Sequence, residues 1–281
     1  MLATMSRRLV CTGLGLVFIL LSDTALQSQG SARSEVETGL AVTDVGLWRD
    51  LQKGVAIRTL VLERSQPNYT VELKLARFNT QLISARVLDS GEFQLRTASA
   101  KTFAEKSQAI AAINANYFDE RGRPLAYLKT RVKEVNRSLS KHSLYTGIFG
   151  IDESGAFVTH RDEFAPAQAS EALQSGPLLL HRGLPIAVNP NLGRYARRAV
   201  IGIDKTGAII IAVADAVLGG LGFAELQKLF VDSRWHIDAV ELLNLDGGGS
   251  AQLYVKSGKF EDWLPGTSEV PVAIGFFSKP K

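Results

Sequence analysis

The residues most suggestive of chemistry follow an apolar run near the carboxyl end of the chain. Asp246 ends this run, 239–246, which has the composition of a buried strand. The residues that come next are Gly247, Gly248, Gly249 and Ser250. Residues without a Cβ let the backbone turn sharply and bring free N–H groups close to a ligand. The pattern is typical of a binding or catalytic site, and a tight β-turn that requires glycine is the structural alternative.

Polar side chains also end a second apolar segment, 109–118. Asn114 and Asn116 carry donors and acceptors that suit sugar hydroxyls, and the ring of Tyr117 could stack on a sugar. The alternative interpretation is a polar cap at the end of a strand, next to an aromatic core residue.

Two further places carry groups that bind anions. Ser175 and Gly176 precede a proline and an apolar strand, where backbone N–H groups can form a concave anion site. Arg198 lies immediately before another strand and can hold a phosphate through two hydrogen bonds. The structural alternatives are a plain turn and a solvated arginine.

Two acidic residues flank the glycine-rich segment 218–222 and could supply a second carboxylate beside Asp246. They are Asp215 and Glu225. Asp215 could instead cap a turn, and Glu225 could lie on the solvent side of a helix.

Several common chemistries lack their sequence signatures. The four histidines are scattered without metal-ligand spacing, so we expect no metal site and no cofactor. No Gly-x-Ser-x-Gly elbow, nucleotide P-loop or dinucleotide fingerprint is present.

The amino-terminal residues 1–30 have the pattern of a secretory leader. Arg7 and Arg8 precede the apolar run Leu9–Leu21, which is shorter than the ~20 residues that cross a bilayer. We therefore predict an exported protein, periplasmic or extracellular, in which 1–30 is a signal peptide or an uncleaved anchor. The single cysteine, Cys11, lies inside this leader, so the remaining chain has no thiol.

Length and composition indicate a folded domain. The chain has 281 residues, of which 46% are hydrophobic and 21% charged, and its formal net charge is +4. This excludes a disordered tail and gives no reason to expect a nucleic-acid partner. Membrane contact is expected only through an uncleaved leader.

The rest of the chain predicts an α+β fold with a mostly antiparallel or mixed β-sheet core and a few packed helices. We expect a flexible lead-in at 31–43 and one catalytic domain at 44–281. Its first part, 44–108, is β-rich, and 109–281 carries the motifs. Alternating apolar residues predict two hairpins, 55–63 with 69–78 and 199–204 with 208–215.

Helical patterns are fewer. Periodic apolar residues predict a helix over 223–235, followed by the strand 239–246, and we expect a short helix at 167–174. The basic stretch 121–141 indicates either a solvated surface flap or a basic lip over an anionic ligand.

Five segments taken together resemble the phosphodiester glycosidase family. In chain order they are 113–119, 175–178, 198–204, 222–226 and 244–250. The resemblance spans roughly Ala109 to Phe277, and the block Leu-Asp-Gly-Gly-Gly-Ser is its most specific element. It departs from the family at Ala115 and Asn116, where glycines are common, and at Val217, where an arginine is common. These departures affect the identity of the substrate more than the reaction class.

The resemblance implies hydrolysis of the bond between a sugar's anomeric carbon and a phosphodiester, on envelope or extracellular glycoconjugates. Asp246 would be the catalytic carboxylate beside the anomeric carbon, with Glu225 or Asp215 as its partner. Arg198 and the amides of 247–250 would hold the phosphate. Asn114, Asn116 and Tyr117 would hold the sugar.

Two other functions remain open at this point. One is a non-catalytic module that binds cell-wall glycans or phosphoglycans with the same pocket. The other is a peptidase or esterase that uses Ser250 or Ser175 as nucleophile, which requires a histidine brought close by folding.

Overall fold

The computed structural model describes residues 39–189, 192 and 195–280. The predicted leader 1–30 and most of the lead-in lie outside these residues. The strands of the described residues are β1 Leu40–Val45, β2 Arg49–Gln52, β3 Val55–Ser65, β4 Asn68–Phe78, β5 Ile83–Asp89, β6 Ala111–Asn114, β7 Leu128–Lys129, β8 Glu134–Asn136, β9 Gly147–Asp152, β10 Gly155–His160, β11 Glu171–Ser175, β12 Leu178–His181, β13 Leu184–Pro185, β14 Arg198–Asp204, β15 Ile209–Asp215, β16 Ala239–Asn244, β17 Leu253–Ser257, β18 Phe260–Leu264 and β19 Val272–Ser278. The α-helices are α1 Ala100–Ser107 and α2 Phe223–Val231.

These strands form three sheets. The large sheet has the order β1-β3-β4-β15-β14-β16-β12-β13, and β2 pairs with β3. The β9 sheet has the order β10-β9-β11-β7-β8, and the β6 sheet has the order β18-β17-β6-β19-β5. Within the described residues every strand pairing is antiparallel. The antiparallel core is confirmed, and with two α-helices in the described part the protein is β-rich rather than a balanced α+β fold.

Both predicted hairpins are confirmed. Strands β3 and β4 pair along their full length, from Val55 opposite Phe78 to Ser65 opposite Asn68. Strands β14 and β15 pair from Arg198 opposite Ala214. Alternating apolar side chains fix this register, because a shift by one residue would turn each buried side chain to the opposite face.

The main core lies between the large sheet and the two smaller sheets. Phe78 of the large sheet, Phe149 of the β9 sheet and Phe276 of the β6 sheet all belong to it. The rings of Phe78 and Phe276 stack with their centroids 4.1 Å apart. A second core on the other face of the large sheet is covered by α2 through Leu226 and Phe230.

Helix α2 connects two strands of the large sheet. Strands β15 and β16 lie on either side of β14, and both run antiparallel to it. They are therefore parallel to each other, which requires a crossover connection, and α2 supplies it. The helix predicted over 223–235 ends at Val231, and a 3-10 turn, Ser233–Trp235, completes the segment.

The helix predicted at 167–174 is wrong. Its second half belongs to β11, which pairs with β9 on one side and β7 on the other. Leu173 enters the main core from this strand. Pairing on both sides and burial override the helical composition of the segment. At the amino-terminal end, β1 begins at Leu40, before the expected start of the domain at Asp44.

The basic stretch 121–141 is largely neutralised by nearby carboxylates. Its ion pairs are Arg123 with Asp119, Arg131 with Glu171, Lys133 with Asp89, and Arg137 with Glu134. This arrangement favours the solvated surface flap over the basic lip. Among the described residues no helix is long and apolar enough to span a membrane.

Candidate active site

Asp246 lies where the large sheet meets the β6 sheet. The chain continues past β16 so that the amide of Leu245 donates to Ala199 of the large sheet, at 2.8 Å. The next amide, that of Asp246, donates to the carbonyl of Ala115, which directly follows β6, at 2.9 Å. The two sheets thus hold the backbone of Asp246 from both sides.

Asn114 positions this junction. Its Nδ2 donates to the carbonyl of Asp246 at 2.7 Å, and its Oδ1 accepts from the amide of Gln252 at 3.1 Å. The side chain is fully buried. Asn114, predicted to bind sugar, therefore contacts the backbone that carries the carboxylate.

The glycine-rich turn holds the carboxylate by close packing. The amide of Gly247 donates to Oδ1 of Asp246 at 2.9 Å, and the amide of Gly248 donates to the carbonyl of Arg197 at 2.9 Å. Gly248 has a φ of +58°, and a Cβ on Gly249 would lie 2.6 Å from Oγ1 of Thr267. A side chain would strain the backbone at Gly248 and would crowd Thr267 at Gly249.

The amides of this turn are mostly bonded within the protein. Besides those of Gly247 and Gly248, the amide of Ser250 donates to the carbonyl of Gly247 at 3.2 Å. The predicted role of these amides in holding phosphate therefore competes with existing hydrogen bonds.

The environment of Asp246 changes its acidity. Burial raises the pKa of its carboxyl from 3.8 to about 6, although hydrogen bonds from the Ser250 side chain and the Gly247 amide lower it in part. A carboxyl group with this pKa can exchange a proton near neutral pH, as a general base or acid must.

Tyr117 lies close to this carboxyl group. Its hydroxyl donates to the carbonyl of Gly176 at 3.0 Å and accepts from Nδ2 of Asn244 at 3.0 Å. Burial, followed by the charge of Asp246, raises the pKa of Tyr117 well above its ordinary value. Gly176 of the predicted anion site, Tyr117 after β6 and Asn244 at the end of β16 are therefore joined by hydrogen bonds near Asp246.

Three buried polar atoms surround this place without a hydrogen-bond partner in the described part of the chain. They are Oδ1 of Asn116, Oγ of Ser175 and Oδ1 of Asn244. The three side chains are at most 3% exposed. Buried polar atoms are nearly always hydrogen-bonded, so this group of acceptors and one hydroxyl is typical of a ligand site.

Arg198 completes the site on its other side. The arginine is 8% exposed, and its Nε donates to the carbonyl of Leu221 at 3.0 Å. Its guanidinium stacks 4.0 Å from the ring centroid of Phe223, and a Cβ on Gly247 would lie 3.8 Å from Nη1. Burial lowers the pKa of Arg198, yet a guanidinium keeps its charge at neutral pH. A cation therefore lies next to the turn that follows Asp246.

The other two predicted carboxylates form ion pairs. Glu225, 4% exposed, accepts from Nη2 of Arg64 at 2.5 Å and from the amide of Gly222 at 2.9 Å. Asp215, at the end of β15, lies 3.4 Å from Nε of Arg197 and is partly exposed. A catalytic role for either residue stays a prediction.

Two residues outside the predicted set belong to the site. Asn244 ends an apolar strand, the same pattern that selected Asn114, and could have been found by it. The ring of Tyr145 lies 5.4 Å from that of Tyr117, and burial followed by the charge of Asp246 raises the pKa of Tyr145. No sequence pattern marks Tyr145, because the fold brings it to the site from a different sheet region.

Other chemistries find little support. Within the described ranges no group of three or more His, Cys, Asp or Glu side chains is placed to hold a metal ion. Oγ of Ser175 has no hydrogen-bond partner there, and the Ser250 side chain bonds to Asp246 rather than to a histidine.

Fold and site together define a β-rich protein with a carboxylate of raised pKa at the junction of two sheets. The sequence profile of the phosphodiester glycosidase family matches residues 107–277, more than half of the chain. The chain belongs to this family, as its ordered motifs predict.

Solved structures agree on the fold. A hypothetical protein from Synechocystis has a TM-score of 0.64 at 15% identity, over 83% of this chain and 64% of that one. The zebrafish N-acetylglucosamine-1-phosphodiester alpha-N-acetylglucosaminidase catalytic domain, auto-inhibited by its pro-peptide, has a TM-score of 0.63 at 16% identity, over 85% of this chain and 88% of that one. No curated protein sequence matches the chain.

Proposed function

We propose that this protein hydrolyses the bond between the anomeric carbon of a sugar and the oxygen of a phosphodiester. One observation carries the proposal: the Asp246 carboxyl, with its pKa raised to about 6, precedes a glycine turn that packs against buried Arg198, within the region that matches the family. The name of the zebrafish relative supports a sugar-1-phosphodiester as the substrate class.

In this reaction the anomeric C–O bond breaks, and its electron pair leaves with the phosphodiester oxygen. The leaving anion is weakly basic, so it needs a nearby positive charge more than a proton, and Arg198 provides that charge. Asp246 either attacks the anomeric carbon or takes a proton from the attacking water. The choice depends on a second carboxylate. Of the two predicted candidates, partly exposed Asp215 is favoured over Glu225, which Arg64 already holds.

The sugar would lie over the unpartnered polar atoms. Oδ1 of Asn116 and Oδ1 of Asn244 can accept hydrogen bonds, and Oγ of Ser175 can both donate and accept. Because the three atoms are buried, a sugar hydroxyl would reach them through a bridging water or after a side-chain movement. Tyr117 and Tyr145 supply aromatic surface beside Asp246. Amide and hydroxyl groups next to aromatic rings are the contacts that a polyhydroxylated ring requires.

We also propose that the protein is exported and acts on envelope or extracellular glycoconjugates. This rests on the leader pattern of residues 1–30. Fractionation of cells that express the full chain tests it: we expect the protein in the periplasm or medium, and recovery in the cytosol alone would contradict it.

The reaction is tested by incubating the purified protein with synthetic sugar-1-phosphate diesters and UDP-sugars, with and without a chelator. We expect release of free sugar from at least one diester. Saturable binding without sugar release would instead indicate a glycan-binding module, a function that the buried and paired state of Glu225 favours.

A further inference from the structure

An apolar groove lies beside the start of α2. Its volume is about 520 Å³, within the range of about 300–1,000 Å³ that is usual for small-molecule sites. Ile186, Ala187 and Val188 form part of its wall, and Tyr195 and Phe223 also line it. The groove therefore has the size and the lining of a ligand site.

The polar side chains that α2 contributes to the groove are engaged within the protein. Glu225 is bonded to Arg64 and to the amide of Gly222. Nε2 of Gln227 donates to the carbonyls of Leu179 and Ile186, at 2.8 and 2.7 Å. An occupant of the groove would therefore be held by apolar contact on this side.

Phe223 connects the groove with the candidate active site. Phe223 lines the groove, and its ring lies 4.0 Å from the guanidinium of Arg198, measured to the ring centroid. Arg198 in turn lies next to Gly247 of the turn that follows Asp246. A phosphate held by Arg198 would therefore lie near a residue that also lines the groove.

Two apolar residues are exposed in the loop that follows β15. Val217 and Leu218 are 101% and 70% exposed. Their loop is fixed on both sides, by the ion pair of Asp215 with Arg197 and by the bridge between Ala196 and Leu221. The same loop contains Leu221, whose carbonyl accepts from Arg198, and adjacent exposed aliphatic side chains can contact an apolar partner.

We propose that the groove binds the hydrocarbon chain of the alcohol that is esterified to the phosphate. The substrate class is then a sugar-1-phosphodiester of a long-chain aliphatic alcohol. This inference rests on the proposed function for the position of the phosphate, and its test measures binding alone.

The experiment is calorimetric titration of the full chain with ethyl, butyl and octyl phosphate, each below its micelle concentration. A fully buried methylene contributes about fourfold in affinity. In a half-open groove we expect octyl phosphate to bind at least about tenfold more tightly than butyl phosphate.

Three variants test where the alkyl chain binds. Ala187→Trp fills the groove at an exposed position, so it should abolish the advantage of octyl phosphate and leave ethyl phosphate binding unchanged. Ala167→Trp, at an exposed position outside the groove, is the matched control and should retain the advantage. Ile186→Ser removes apolar surface from the groove, so it should reduce the advantage of octyl phosphate, and it covers the case in which the tryptophan variant fails to fold.

Equal affinity for all three alkyl phosphates, or no binding of any, would overturn the proposal. So would a folded Ala187→Trp protein that keeps the full advantage of the octyl chain. Binding that depends on chain length in a protein that releases no sugar supports the groove and contradicts the hydrolase. Sugar release by a protein that binds all three alkyl phosphates equally supports the hydrolase and contradicts the alkyl-chain groove.

Discussion

Asp246 and Glu225 are both acidic residues placed against the large sheet, and their surroundings differ. Glu225 is bonded to the guanidinium of Arg64, which is itself 1% exposed, and to a helix-capping amide. Asp246 follows a strand, is bonded by the Gly247 amide and the Ser250 side chain, and has a pKa of about 6. The buried guanidinium of Arg64 neutralises the carboxylate of Glu225. Burial of Asp246 instead favours the protonated form of its carboxyl group.

The difference teaches that burial of an acidic residue does not by itself indicate catalysis. A buried ion pair satisfies its own charges and costs stability when one partner is removed. A carboxyl group with a raised pKa that faces unpartnered polar atoms is destabilised in its charged form, which is the arrangement found at acid–base sites. We therefore expect changes at Asp246 to affect activity and changes at Glu225 to affect stability.

The largest expected effect is on activity in Asp246→Asn. The amide keeps the shape of the side chain and can neither attack the anomeric carbon nor accept a proton, so kcat should fall about 10³-fold or more. Release of free sugar from a synthetic diester measures it. Asp262→Asn, on β18, is the control and should retain the wild-type rate. A folded Asp246→Asn protein that cleaves at the wild-type rate would contradict the assignment.

Next in size is the loss of stability in Glu225→Leu. This change leaves the charge of Arg64 buried without its carboxylate, so the free energy of unfolding should fall by about 3–5 kcal/mol. Denaturant unfolding measures it.

The double variant Arg64→Met with Glu225→Leu removes both charges and should recover most of this loss, because apolar residues can replace a buried ion pair at little cost. It should also release sugar within about tenfold of the wild-type rate. If the double variant is stable but as inactive as Asp246→Asn, Glu225 is the second catalytic carboxylate. The distinction between a structural Glu225 and a catalytic Asp246 would then be wrong.

Much of the fold could be predicted from local patterns. Strands β3, β4, β14 and β15 alternate apolar and polar side chains, and α2 places its apolar residues on one face, so both hairpins and the helix follow from periodicity. Segment 167–174 could not be predicted, because pairing of β11 with two neighbours and burial of Leu173 are long-range effects.

The candidate site was predictable where polar residues end apolar strands, as at Asn116 and Asp246. The ion-pair and packing partners of each side chain could not be predicted. Glu225 is paired with Arg64 of β3, far away in the sequence, and Tyr145 reaches Tyr117 from the segment before β9. Such contacts depend on how sheets pack, and no local pattern encodes them.

A smaller effect is expected from Arg198→Ala, which tests the cation next to the turn that follows Asp246. The variant should lose about 10²-fold in kcat/KM on a sugar-1-phosphodiester and much less on an uncharged aryl glycoside, because only the former develops a phosphate charge. Arg234→Ala, an exposed arginine paired with Asp232, is the control and should change neither substrate. Equal losses on both substrates would indicate that Arg198 acts through its packing on Phe223 alone.

The smallest effect is a gain in stability for Asp246→Asn, and its sign depends on pH. In the wild-type protein the pKa of Asp246 rises from 3.8 to about 6 on folding, so the native state holds its proton more tightly. The free energy of unfolding therefore falls as pH increases through this window, by at most about 3 kcal/mol. Asparagine is neutral throughout, so the variant should be about 2 kcal/mol more stable at pH 7, after some loss of hydrogen bonding, and should show no gain near pH 4. Urea unfolding at both pH values measures the difference. A variant less stable than wild type at pH 7 would mean that the carboxylate is stabilised in place, as Glu225 is by Arg64.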